Sequence, residues 1–216
     1  MIRCGSGDGC RRRGRPKELS RAERERRLLD AAERLLVREG IERASMAAIA
    51  REAGMSKRTL YDVFADRAAL FEACVRRLRS SFVRPLIDSE RRMPLAERLE
   101  RIFDPDGRAA DQTVPLGVLR AVILEAHRHP DLGQVFLREG PDMVRDTVRA
   151  ELDRAAVAGE IAPVDTELAA RMFCDMVFEN PIDRLVDPDR ATLSKNDVRQ
   201  RLSCAIDIFL KGVARA

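Results

Sequence analysis

Apolar residues in this chain return every three or four positions, and nowhere do they alternate with polar ones over the length of a strand. That period places them on one face of a helix, and it commits the chain to an all-α fold. The punctuation agrees. From about Arg21 to Glu39 the stripe is Leu28, Ala32, Leu35 and Leu36, with Gly40 as a left-handed cap. Ser45 then caps a short helix with Met46, Ile49, Ala50 and Ala53 inward, and Gly54 stops it. Ser56 caps a second short helix anchored by Leu60 and Phe64. Asp66 opens a longer one, with Leu70, Phe71, Cys74, Val75 and Leu78 inward, running to about Phe82.

Two short helices joined through a glycine-containing turn are the helix-turn-helix signature, in which the second helix enters the DNA major groove. Ala50 is small enough for a close helix crossing, Gly54 turns the chain, and Met55 fills the space between the helices. With Leu60 and Phe64 inward, Lys57, Arg58, Thr59, Tyr61 and Asp62 are left outward. Such a flank offers donors to phosphate and to guanine, and an aromatic edge to the backbone or a thymine methyl. The dipole of the helix capped by Ser56 adds a preference for phosphate. The plain alternative is an ordinary surface helix.

Charge separates along the chain in the same sense. Residues 1–80 carry 20 Lys and Arg against 12 Asp and Glu, whereas residues 81–216 carry 20 against 24. A basic front suits a polyanion, because clustered cations release counterions from phosphates. A merely arginine-rich solvated face would read the same way.

The run SMAAIAREAGMSKRTLYDVFADRAALF resembles the DNA-binding domain of the TetR family of bacterial regulators, with Ile49, Ala50, Ala53, Gly54, Ser56, Thr59, Leu60, Tyr61, Phe64 and Leu70 in register over residues 21–78. The resemblance implies phosphate contacts from Ser45, Tyr61 and Arg67, and base or phosphate contacts from Lys57, Arg58 and Thr59. Arg58 stands where the family often has Gly, and Asp62 and Val63 where it often has His and an aromatic. An acidic Asp62 beside DNA repels phosphate or accepts from a cytosine amine, so relatives do not disclose the operator. Ahead of this head, residues 1–19 are Gly- and Arg-rich without periodicity and read as a mobile basic arm. Its Arg13-Gly14-Arg15-Pro16-Lys17 resembles the core of an AT-hook, in which Arg13 and Arg15 lie in a minor groove; a solvated tether is the simpler reading.

The expected division is therefore an arm (1–19), a helix-turn-helix head (20–80) and a helical rear domain (81–216). Rear helices are expected at 94–103, 114–128, 131–139, Pro141 to Ala158, Asp165 to about Glu179, and beyond the capping box Ser194 to Asp197. The segment from Glu125 to Ile161 resembles, more loosely, a C-terminal domain of a TetR subset. TetR-like rear domains dimerise and hold a small molecule. Leu168, Met172 and Met176 on one helix, and Val198, Leu202, Ile206, Phe209 and Val213 on the last, are the expected two-fold four-helix interface of a homodimer. Leu119, Ile123, His127, Phe136, Phe173 and Phe178 are candidates for the effector cavity, though each is more often plain core.

Other chemistry is poorly represented. Glu125, His127 and His129 suggest a metal, yet only Glu125 and His129 share a helix face and no third ligand is evident, so neither metal nor cofactor is expected. No catalytic triad, phosphate-cradling loop or zinc spacing occurs, which argues against an enzyme. Five cysteines form no CxxC pair, and Cys74, Cys174 and Cys204 read as small buried hydrophobes. No apolar run is long enough for a membrane span and no signal segment is evident, so a cytoplasmic protein is expected. The function the TetR resemblance implies is a homodimeric, ligand-responsive repressor on a palindromic operator. Its rivals are an architectural binder using the arm and a ligand-sequestering protein with a vestigial head.

Overall fold

The computed structural model describes residues 19–104, 113–187 and 189–213. The expectations for the arm at 1–18, including Arg13 and Arg15, lie outside them. Among the described residues the chain is helical and no strand occurs. The helices are α1 (Arg21–Arg43), α2 (Met46–Glu52), α3 (Lys57–Tyr61), α4 (Arg67–Ser80), α5 (Leu95–Phe103), α6 (Thr113–Glu125), α7 (Pro130–Leu137), α8 (Met143–Ala158), α9 (Thr166–Val177), α10 (Pro181–Val186) and α11 (Lys195–Val213). A 3₁₀ turn occupies Glu90–Arg92 and a π turn occupies Arg138–Asp142.

Caps set most of the boundaries. Ser20 and Glu23 form a reciprocal capping box at the start of α1, and Ser194 and Asp197 form another before α11. Asp66 accepts from the Ala69 N–H at 2.7 Å and opens α4. Gly159 ends α8 in the left-handed conformation. Gly40 differs from expectation: its φ is +79° but its ψ is 178°, so it kinks α1, and Ile41 to Arg43 continue beyond it. Pro141 differs too. Lacking an N–H, it makes no bond to the residue four back, and instead of starting a helix it sits in the π turn that joins α7 to α8. Pro181 is the first residue of α10, capped by Asn180.

Two hydrophobic cores result. The first gathers Leu28, Leu35, Ile49, Leu60, Phe64 and Phe71 from α1 to α4 and continues into Val118, Ala121, Val122, Leu132 and Val135 of α6 and α7. α6 approaches α1 closely at Gly117, where an added Cβ would stand 2.7 Å from a methyl of Val37. The second core holds Leu99, Phe103, Leu152, Phe173, Leu202, Ile206 and Phe209. Phe103 meets the rings of Phe173 and Phe178 edge-on at 5.8 and 5.7 Å, and Phe173 meets Phe209 at 5.1 Å. Within it Arg98, only 4% exposed, lies 2.9 Å from Glu160 and 3.5 Å from Glu151. Cys74 and Cys174 are buried as expected, but Cys204 is exposed because it lies on the side of α11 opposite the Leu202–Ile206 stripe.

Candidate functional site

α2 and α3 meet through the turn that Gly54 makes at φ +67°. The Met55 N–H closes it onto the Ala50 carbonyl at 2.8 Å. Ser45 and Ser56 cap the two helices through the N–H groups of Ala48 and Thr59, at 3.2 and 3.0 Å. Leu60 is fully buried and Phe64 nearly so. Burying a leucine contributes about 1.5–3 kcal/mol, which fixes the roll of a helix only five residues long. That roll leaves Lys57, Arg58 and Asp62 exposed and Tyr61 52% exposed. Lys57 and Arg58 make no ion pair among the described residues. Thr59 is half-buried, its hydroxyl 2.8 Å from that of Ser56.

Arg67 is placed differently from the rest of this group. Its guanidinium is half-buried and donates to the Ile41 carbonyl, tying the start of α4 to the tail of α1. Two further cations, Arg43 and Arg51, stand exposed beside α2 and were not singled out by sequence reasoning. Their signal is positional, since each falls on the polar side of its helix. By contrast Arg34 and Arg38 are drawn to Glu52 at 3.2 and 3.3 Å and are less available to a polyanion.

Behind the head, Arg77 of α4 grips α1 by donating to Asp30 at 2.7 Å and to both oxygens of Glu33. Arg79, one face round, donates at 2.7 Å to the Glu139 carbonyl in the π turn. α4 therefore touches both the head and the wall of a cavity of about 430 Å³. Leu78, Leu119, Phe136 and Phe178 line that cavity, together with Arg145 and Arg184, and its size lies in the range of small-molecule sites. Of the six expected lining residues, Leu119, Phe136 and Phe178 come together here. Ile123 does not, because α6 gives Val118, Ala121 and Val122 to the core under α1 and turns Ile123 to solvent, and His127 stands exposed in the turn after α6. Phe173 is shut in the second core. Cys174 also lines the cavity, and burial pushes its thiol up to about 12.

The expected interface residues divide as well. Leu168 and Met172 of α9 are 54% and 57% exposed, and Met176 is half-buried. On α11 the stripe faces inward: Leu202, Ile206 and Phe209 are buried, and Val198 and Val213 are half-buried. The stripe expected at the interface is taken up by the second core. Ile208, 59% exposed, and Cys204 occupy the outward side.

Family models account for most of the described chain. One for bacterial regulatory proteins of the tetR family matches residues 28–74, and one for the C-terminal domain of AefR-like transcriptional repressors matches residues 98–212. The chain belongs to the TetR family. It is accordingly a DNA-binding transcriptional regulator with a helix-turn-helix head, and no enzyme family is indicated. No curated protein matches the sequence. Solved structures similar to this TetR-family chain include the flavonoid-responsive regulator FrrA, at 24% identity and a TM-score of 0.65 over 90% of this chain and 100% of that one. A TetR transcriptional regulator from Agrobacterium tumefaciens shares 25% identity with a TM-score of 0.62, over 88% and 94%. A TetR family regulator from Pseudomonas syringae pv. tomato shares 24% with a TM-score of 0.58, over 86% and 94%. No helix among the described residues of this TetR-family regulator is long and apolar enough to cross a membrane.

Proposed function

We propose that this TetR-family chain is a ligand-responsive repressor that binds a partly palindromic operator as a homodimer. The observation that carries the reading is the roll of α3, which sets Lys57, Arg58 and Tyr61 outward while Leu60 and Phe64 hold it from behind. Ser45, Ser56, Thr59 and Arg67 complete the DNA-contacting set. Arg67 reaches a phosphate while keeping, or exchanging, its bond to Ile41. Residues 20–80 act as the head and residues 81–216 as the effector-binding and dimerising part.

Leu168 and Met172 of α9, with Cys204 and Ile208 of α11, form the face that meets a second subunit. An exposed apolar stripe on two adjacent helices favours burial against its own copy across a two-fold axis. Two α3 helices then enter successive major grooves. The cavity holds the effector, and the ligand response of FrrA, which resembles this chain in fold, supports that assignment. The match to AefR-like repressors supports repression rather than activation. An effector acts by binding more tightly to a conformation whose heads are misplaced for DNA, and α4, bonded to α1 through Arg77 and to the cavity wall through Arg79, is the lever.

Titrating purified protein onto the DNA upstream of its own gene, with scrambled competitor at moderate salt, tests the reading. Sequence-selective binding with dimer stoichiometry is expected. Equal binding to the scrambled duplex makes the chain an architectural binder, and no binding makes the head vestigial.

A further inference from the structure

The sequence offers Glu125 and His129 on one face at the end of α6 and no third partner. The fold supplies one. Glu42, in the short stretch of α1 after the Gly40 kink, brings a carboxylate oxygen to a point where one donor atom from each of Glu42, Glu125 and His129 lies within 4.8 Å of the others. We propose that these three side chains form a binding site for a divalent transition-metal ion of the Zn²⁺ type, at the joint between α1 and the α6–α7 turn.

Donor atoms around a tetrahedral zinc ion at its usual bond lengths stand about 3.4 Å apart. Side-chain rotation closes the remaining gap, since Glu42 is exposed and neither ring nitrogen of His129 is hydrogen-bonded among the described residues. The donor set is mixed, one imidazole and two carboxylates. Borderline ions accept that set, whereas Mg²⁺ and Ca²⁺ favour oxygen alone. Three protein ligands with a water as the fourth is a familiar zinc arrangement.

Glu125 supplies an independent pointer. Its Oε2 is out of reach of water and has no hydrogen-bond donor. The nearest cation, Nη1 of Arg128, stands 3.6 Å from it and hydrogen-bonds instead to Glu42 at 3.2 Å. The Arg128 side chain is 59% exposed, and a solvated pair of that kind contributes little. It can swing into water when a divalent ion takes over the neutralisation of both carboxylates. An ion held here would staple the tail of α1, just ahead of Ser45 and the helix-turn-helix, to the α6–α7 turn. Because the unfolded chain does not hold the three ligands together, binding raises the melting temperature.

The test uses the metal-free full-length protein and Zn²⁺ alone, in competition with a chromophoric chelator, with thermal melts in parallel. One ion per chain is expected. Glu42→Gln and His129→Ala should each weaken binding at least tenfold and abolish the Zn²⁺-induced rise in melting temperature. Arg128→Ala should tighten binding several-fold by removing the competing cation, and His127→Ala should leave it unchanged. Circular dichroism confirms that the variants fold, and the exposed, isosteric Glu42→Gln keeps the test valid if His129→Ala does not. The proposal is overturned if the wild type takes up no Zn²⁺, if all variants bind it equally through cysteines elsewhere, if Arg128→Ala weakens it, or if Mg²⁺ binds as tightly.

Discussion

Arg79 of α4 donates through Nη1 to the carbonyl of Glu139 at 2.7 Å, joining the helix that leaves the head to the π turn of the rear domain. The same turn supplies Gly140 and Pro141 to the cavity wall. A change in the cavity is therefore one hydrogen bond away from α4. Replacing Arg79 by Met keeps the apolar stem and removes the bond, which should cost about 1.5 kcal/mol in denaturant unfolding. Amide exchange at 138–142 should accelerate while the middle of α8 stays protected; uniform exchange across both segments would deny the turn a special dependence on Arg79.

On the head, Tyr61→Phe and Lys57→Ala should each weaken operator binding by about 1–3 kcal/mol without altering helicity or oligomeric state. Both side chains are exposed and make no ion pair among the described residues, so the folded state loses nothing. Gel-shift titrations with both variants at wild-type affinity would count against α3 as the reading helix.

The two sides of the α9 and α11 pair predict opposite phenotypes. Met172→Glu places a charge on the outward stripe and should give a well-folded monomer by sedimentation at micromolar concentration. Leu202→Ala, on the buried side, should lower stability by about 2–5 kcal/mol while the fraction that remains folded is still dimeric.

Gly117→Val probes the approach of α6 to α1. The Val37 methyls leave no room even for a Cβ, so Val37 or the helices must shift, at a cost of about 1–3 kcal/mol. A melting curve at or above the wild-type midpoint would show that the contact is slack.

Glu90 predicts an acid limb. It accepts two bonds from Arg84, at 2.9 and 2.7 Å, and one from the Ile87 N–H at 3.1 Å. These hold its carboxyl at about 2, against an ordinary 4.5. The folded value lies below the unfolded one, so Glu90 favours folding above about pH 4.5, and that contribution drains away as pH falls toward 2. Stability measured across this window should fall less steeply in Glu90→Gln than in the wild type.

The head was legible in the sequence because its determinants are local. Ser45, Gly54, Ser56 and Asp66 each act on residues within a turn of themselves, and Leu60 and Phe64 declare the inward side of α3 by spacing alone. Apolar stripes in the rear were equally visible, but a stripe does not name what it faces. Leu202, Ile206 and Phe209 read as a dimer seam and instead close around Phe173, while the sparser Cys204 and Ile208 were passed over. Likewise Ile123 reads as a cavity residue because the side of α6 that packs on α1 depends on Gly117 meeting Val37, a contact between residues far apart in the chain, and His127 because the end of α6 at Glu125 is unmarked in the sequence. Glu42 was invisible as a partner of His129 for the same reason. The π turn escaped notice because a proline at 141 is compatible with a helix start and with a widened turn alike.

The first core reaches forward into α6 and α7, and this limits how the protein can be dissected. A fragment cut after residue 80 would lose Val118, Ala121, Val122, Leu132 and Val135, leaving bare the sides of α1 and α4 that pack on α6 and α7. Such an excised reading module would clump or melt, so grafting this head onto a foreign sensor requires transplanting the α6–α7 hairpin along with it.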